Sequence, residues 1–240
     1  MLILAFDTTS EKGGVGIYRD ADCLALVPNQ GPANRYSITL FEMAEQALAH
    51  AHLDLCDIDL YAAANGPGSF TGIRVGLAAA RAWGKAFNRR VRGVSVLDAM
   101  VNKVHLTSDW AFPILDARRG EFFLGSFRRA PSQLPGTTKQ GFEPADGGWV
   151  LKPESLRALV EERLASGASA TCLVRAHDQA AANLRPSLPA PITWRQVEGL
   201  LVDSIAEIAR SEDQSNSPCP DAKLDACYIR RPDAEINWKD

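Results

Sequence analysis

Short apolar runs and amphipathic stripes alternate along the chain. LILAFDTTS is an apolar run closed by small hydroxylated residues, and VGIYRD follows it after EKGG, which predicts an N-terminal hairpin. From Pro32 to Ala51 the positions Leu40, Phe41, Ala44, Ala47, Leu48 and Ala51 recur at helical spacing, with Glu42, Glu45 and Gln46 on the opposite arc. A strand is predicted around Leu60 to Ala64. It runs into NGPGSFTGIRVG, a stretch with four glycines and a proline in twelve residues. The alanine-rich LAAARAWGKAF behind that loop reads as a helix, and VRGVSVLDAM as a short strand with a helix after it.

Near Trp110 the same logic starts again. AFPILDARRGEFFLGSF is an apolar run, an Asp, a turn with Gly120 and a second strand, roughly a hundred residues after the first hairpin. Two such hairpins suggest two related half-domains, although their sequence identity is too weak for a repeat. Pro131 to Gly148 predicts a loop, KPESLRALVEERLAS a helix with Pro153 in its first turn, TCLVRA and PITW strands, and EGLLVDSIAEIARSE a second amphipathic helix. SEDQSNSPCPD reads as a linker before the tail AKLDACYIRRPDAEINWKD. Alternating strands and helices make α/β the expected class. The expected division is 1–107 and 108–240, with the tail packing back on the N-terminal half.

Composition narrows the function classes. At 240 residues and 46% hydrophobic the chain can bury a core without staples. A formal net charge of −3 argues against a whole-protein electrostatic grip on nucleic acid. Cys23, Cys56, Cys172, Cys219 and Cys227 are odd in number and form no C-x-x-C pair, so reduced thiols are expected rather than a disulfide framework or a zinc site. No apolar run approaches the ~20 residues that span a bilayer, and MLILAFDTTSE meets Asp7 too early for a signal peptide. A cytoplasmic location with no membrane association is the expectation.

The candidate chemistry sits in two turns. Asp7, Thr8, Thr9 and Ser10 place a carboxylate and three hydroxyls at the end of a strand, which suits a hard cation and phosphate oxygens, or a turn that caps its own backbone. NGPGSFTGIRVG lacks both the Gly-Lys-Ser/Thr ending of a P-loop and the G-x-G-x-x-G of dinucleotide folds. Gly66, Gly68 and Gly72 then serve tight turns, and Ser69 or Thr71 caps the helix. In that helix Gly72, Gly76, Ala80 and Gly84 recur every fourth residue, and Arg74, Arg81 and Lys85 share a narrow polar edge. So apolar a helix is buried on two sides, against its own sheet and against either the helix before it or a partner. His50, His52, His105 and His177 do not group as metal ligands, and no G-x-S-x-G elbow occurs.

Taken together, ILAFDTTS, NGPGSFTGIRVG, LDARRGEFF, LKPE and the terminal YIRR resemble the TsaB (YeaZ) family of bacterial tRNA threonylcarbamoyladenosine biosynthesis proteins. The resemblance implies an actin/Hsp70/sugar-kinase-like (ASKHA) α/β fold of two related half-domains. It also implies a degenerate paralogue of TsaD, the subunit that transfers threonylcarbamoyl to N6 of the adenosine beside the anticodon. TsaD carries two metal-binding histidines on the helix matching Asn34 to Ala51, where this chain reads NRYSITLF. Many TsaB members keep one histidine there after an Arg-Glu; here Arg35 and Tyr36 stand instead.

The implied role is a noncatalytic scaffold and activating subunit with no catalytic residue and no metal. It binds a TsaD-type paralogue, is joined by a TsaE-type ATPase, meets tRNA indirectly through the complex, and forms a homodimer when alone. No cofactor of its own is expected, with ATP or ADP and Mg placed at the partner interface. On the helix arcs, that interface falls on Tyr36, Leu40, Met43, Ala47, Ile73, Leu77, Ala80 and Gly84. Asp7, Thr8, Thr9, Ser10, Gly66, Gly68, Ser69 and Thr71 become a vestigial phosphate loop. The alternative is an ATP-dependent small-molecule kinase or ATPase using Asp7, Thr8, Ser10 and Asp116 around Mg-ATP. A glycoprotease activity finds no support in the residues.

Overall fold

In the computed structural model, which describes residues 1–31, 35–130, 141–189 and 191–214, β1 (Leu2–Asp7) is the middle strand of a five-stranded sheet. β2 (Gly14–Arg19) and β3 (Asp22–Pro28) follow antiparallel on one side. After α1 (Tyr36–Ala51), β4 (Leu60–Gly66) pairs parallel with β1; after α2 (Phe70–Phe87), β5 (Arg90–Ser95) pairs parallel with β4, and α3 (Val96–Lys103) ends the run. The order is β3-β2-β1-β4-β5. Successive residues of a strand point to opposite faces. Leu4, Phe6, Tyr61 and Ala63 share one core cluster with α1 and α2, and Ile3, Ala5, Leu60 and Ala62 are buried on the other face. Burial on both faces is why ILAF and LYAAA read as continuous apolar runs rather than alternating ones.

The second unit repeats this plan. β6 (Trp110–Asp116) and β7 (Phe122–Leu124) form a hairpin; β8 (Phe127–Arg129) and β9 (Phe142–Pro144) make an antiparallel ribbon off β6; β10 (Trp149–Leu151) pairs with β7. α4 (Pro153–Leu164), β11 (Ala170–Arg175), α5 (Gln179–Ala182) and β12 (Thr193–Val197) complete it, with β11 and β12 parallel to β6. With the ribbon set aside, the order β10-β7-β6-β11-β12 is again third, second, first, fourth, fifth. The two halves are therefore one topology used twice.

The last described helix, α6 (Val202–Gln214), is by chain order the counterpart of α3. Residues 199–214 nevertheless group with 1–103, and 104–198 form the second unit. α6 and α3 contact each other, and both contact β4 and β5, with α6 also on β1. A polar seam fixes the register of α6: Asp213, whose side chain is 2% exposed, accepts from Arg92 at 3.4 Å and pairs with Arg90 at 2.5 Å, Asn102 donates to Glu207 at 3.0 Å, and Lys103 pairs with Asp203. Removing Asp213 would break this buried pair with Arg92, a kind of change that costs about 3 kcal/mol or more.

Several expectations need correction. β3 is an unanticipated third strand, because DCLALVP opens with exposed polar residues and lies at the sheet edge. Phe142–Pro144 pairs as a strand inside the stretch expected to be a loop, with Phe142 fully buried. α6 runs through Ser211 to Gln214, into the expected linker. The rest of that linker and the tail with YIRR, Cys219 and Cys227 lie outside the described residues. No helix among the described residues is long and apolar enough to cross a membrane.

Burial pushes the Cys172 thiol up to about 12, whereas Cys23 and Cys56 are exposed. Brief alkylation at neutral pH, mapped by peptide mass spectrometry, should modify Cys23 and Cys56 and spare Cys172, since the thiolate is the reactive form. Comparable labelling of Cys172 would show that the second core opens.

Candidate functional site

The end of β1 is where the first unit's turns converge. Asp7 is fully buried, and its Oδ1 accepts from Thr9 N at 2.8 Å and Thr9 Oγ1 at 2.6 Å. That is an Asx-type turn, formed because a strand must reverse at once into β2. Asp7 Oδ2 and Ser10 Oγ are buried and have no hydrogen-bond partner among the described residues. The Tyr36 hydroxyl donates to Ser10 O at 2.7 Å, which ties the start of α1 to the turn.

The glycine loop closes on the same turn. Ser69 N donates to Thr9 O at 2.7 Å, Thr8 Oγ1 donates to Gly72 O at 2.7 Å, and Ser69 Oγ caps α2 by accepting from Gly72 N at 3.2 Å. A Cβ at Gly72 would lie 1.9 Å from Thr8 O, and one at Gly76 would lie 2.5 Å from Thr8 Oγ1. Gly66 and Gly68 both hold positive φ in the loop, with the 66–67 peptide cis, and Thr71 is exposed in the first turn of α2. Thr8 and Thr9 thus pack directly against the glycine loop and the flank of the first turns of α2. No lysine or arginine stands in the loop before Arg74. The residues fit a turn packed on its own backbone rather than an open nucleotide cradle. Asp7 Oδ2 and Ser10 Oγ still lack a partner among the described residues.

The partner face expected from periodicity is internal. Tyr36, Leu40, Met43, Ala47, Ile73, Leu77 and Ala80 are each 5% exposed or less, and Gly84 is buried with a notional Cβ 2.3 Å from Val91 Cγ2. Helical periodicity marks the stripe that packs on the sheet, and the every-fourth small residues let α2 approach β1 and β5 closely. What these helices present outward is different. Ile38 and Phe41 of α1 are 55% and 50% exposed, and Phe70 of α2 is 37% exposed under the Arg74 guanidinium, 3.8 Å from its ring centroid. Phe41 rests edge-on against Trp83, which also meets Phe6, at 5.7 Å in each case. Glu42 and Glu45 flank the apolar residues on α1, and Arg74, Arg81 and Lys85 are exposed on α2. Helical spacing includes Phe41 in the apolar arc of α1 and passes over Ile38, and it does not tell which residues of the arc are left uncovered.

In the second unit Asp116 occupies the place of Asp7 at the end of the first strand, but its turn is built otherwise. Asp116 Oδ1 accepts from Arg118 N at 2.7 Å, and Asp116 N donates to Asp178 Oδ2 at 2.8 Å. Arg118, Arg119 and Gly120 all have positive φ, of 66°, 58° and 72°. For the two arginines this conformation costs ~1 kcal/mol or more each. Among the described residues, no three metal-ligating side chains come together.

Similarity to known proteins agrees with this geometry. A family model described as TsaD, tRNA N6-adenosine threonylcarbamoyltransferase, matches residues 27–145. The chain is 28% identical over 169 residues to the tRNA threonylcarbamoyladenosine biosynthesis protein TsaB of Escherichia coli, covering 68% of this chain and 66% of that one. YeaZ from Pseudomonas aeruginosa superposes with a TM-score of 0.70 over 93% of this chain and 97% of its own, at 18% identity, so the fold is shared. These matches together support a TsaB/YeaZ-family protein. Its duplicated α/β topology is the ASKHA-like fold that the sequence implied. An uncharacterized protein of Mycobacterium tuberculosis is 36% identical over 124 residues, 50% of this chain and 56% of that one, and one of Mycobacterium leprae is matched over 35% of its length. The chain spans about half the length of these curated relatives or less.

Two substitutions separate a packed turn from a ligand site. Gly72→Ala drives a side chain into a backbone oxygen and should cost about 3 kcal/mol or more in thermal or urea melts. Asp7→Asn keeps the acceptor for Thr9 while removing an unpaired buried charge, so the melting temperature should hold or rise; a marked fall would show that the carboxylate charge is balanced in the folded protein.

Proposed function

We propose that this TsaB/YeaZ-family chain takes part in the synthesis of N6-threonylcarbamoyladenosine in tRNA as a noncatalytic, activating subunit that docks a TsaD-type transferase. The observation that carries the reading is the outward face of α1 and α2, where Ile38 and Phe41 stay exposed beside a turn that its own backbone has closed. Exposed aromatic and aliphatic anchors ringed by charge favour a protein partner. The acidic flank on α1 and the basic edge on α2 fix the orientation of docking. A TsaE-type ATPase joins the assembly, tRNA is met through it, and a second copy covers the same face when the partner is absent. ATP or ADP with Mg belongs at the partner interface rather than at the Thr8–Thr9 turn. The names of the curated relatives support the pathway.

A kinase or ATPase reading rests on Asp7 Oδ2, a buried carboxylate oxygen without a hydrogen-bond partner among the described residues. Calorimetry of the isolated chain with Mg-ATP separates the two: no binding is expected, and micromolar binding with turnover would favour the enzyme. Ile38→Glu and Phe41→Glu, both at exposed positions, should leave the melting temperature unchanged and weaken co-elution with the TsaD-type paralogue by roughly 30-fold or more. Undiminished co-elution would remove this docking face. Depleting the protein should lower threonylcarbamoyladenosine in digested tRNA, read by mass spectrometry, and a constant level would end the pathway assignment.

A further inference from the structure

We draw no further inference here: the strongest candidate, the hollow of about 630 Å³ at the start of β6 lined by Asp109, Trp110, Arg128, Arg129, Arg163 and Ser166, carries nothing because Asp109 is engaged by Ser169, Arg129 by the carbonyls of Leu106 and Ser108, and Arg163 by Asp146 and Glu162, and nothing in the structure shows what the exposed Arg128 would hold.

Discussion

The backbone of Thr8 sits where a side chain at position 72 would have to be, and the first unit is arranged around that contact. β1 ends against the edge of α2, with Gly72 and Gly76 supplying the missing volume and the Thr8 hydroxyl donating to Gly72 O. Ser69 then caps α2, Thr9 O takes the Ser69 amide, and Tyr36 brings the start of α1 to the same turn. Both helices that carry the exposed face are thereby anchored at one point. The glycine loop and the turn after β1 are therefore packed on one another.

One topology used twice has been put to two uses. In the first unit the turn after the central strand is buried, hydroxyl-lined and closed by the glycine loop. In the second it is an exposed, strained hairpin braced by Asp178. The third helix diverges as well: α3 stays with its own sheet, while its counterpart α6 is held on the first unit through Asp203, Glu207 and Asp213. Equivalent positions in chain order therefore do not carry equivalent chemistry.

Much of this was legible from residue patterns. The buried strands, the α2 helix with its Ser69 cap, and the two hairpins follow from apolar runs and turn residues, because those signals act over a few neighbours. The edge strand β3 and the ribbon strand β9 were not, since each depends on a partner distant in sequence. The outward side of α1 shows the difference most plainly. Leu40 on α1 and Leu77 and Ala80 on α2 are internal, while Phe41, on the same apolar arc as Leu40, and Ile38 are exposed.

Local chemistry in the sequence determined the α/β class, the tight turns at Gly66 and Gly68, and the resemblance to the TsaB/YeaZ family. Tertiary structure alone decided that Thr8 and Thr9 pack against the glycine loop, that α6 belongs with the first sheet, and that two arginines stand on left-handed backbone. The physical reason is that helical period and turn propensity record how a residue relates to its near neighbours. Which of two apolar faces is covered, and what fills a glycine's empty volume, depends on segments far away in the chain.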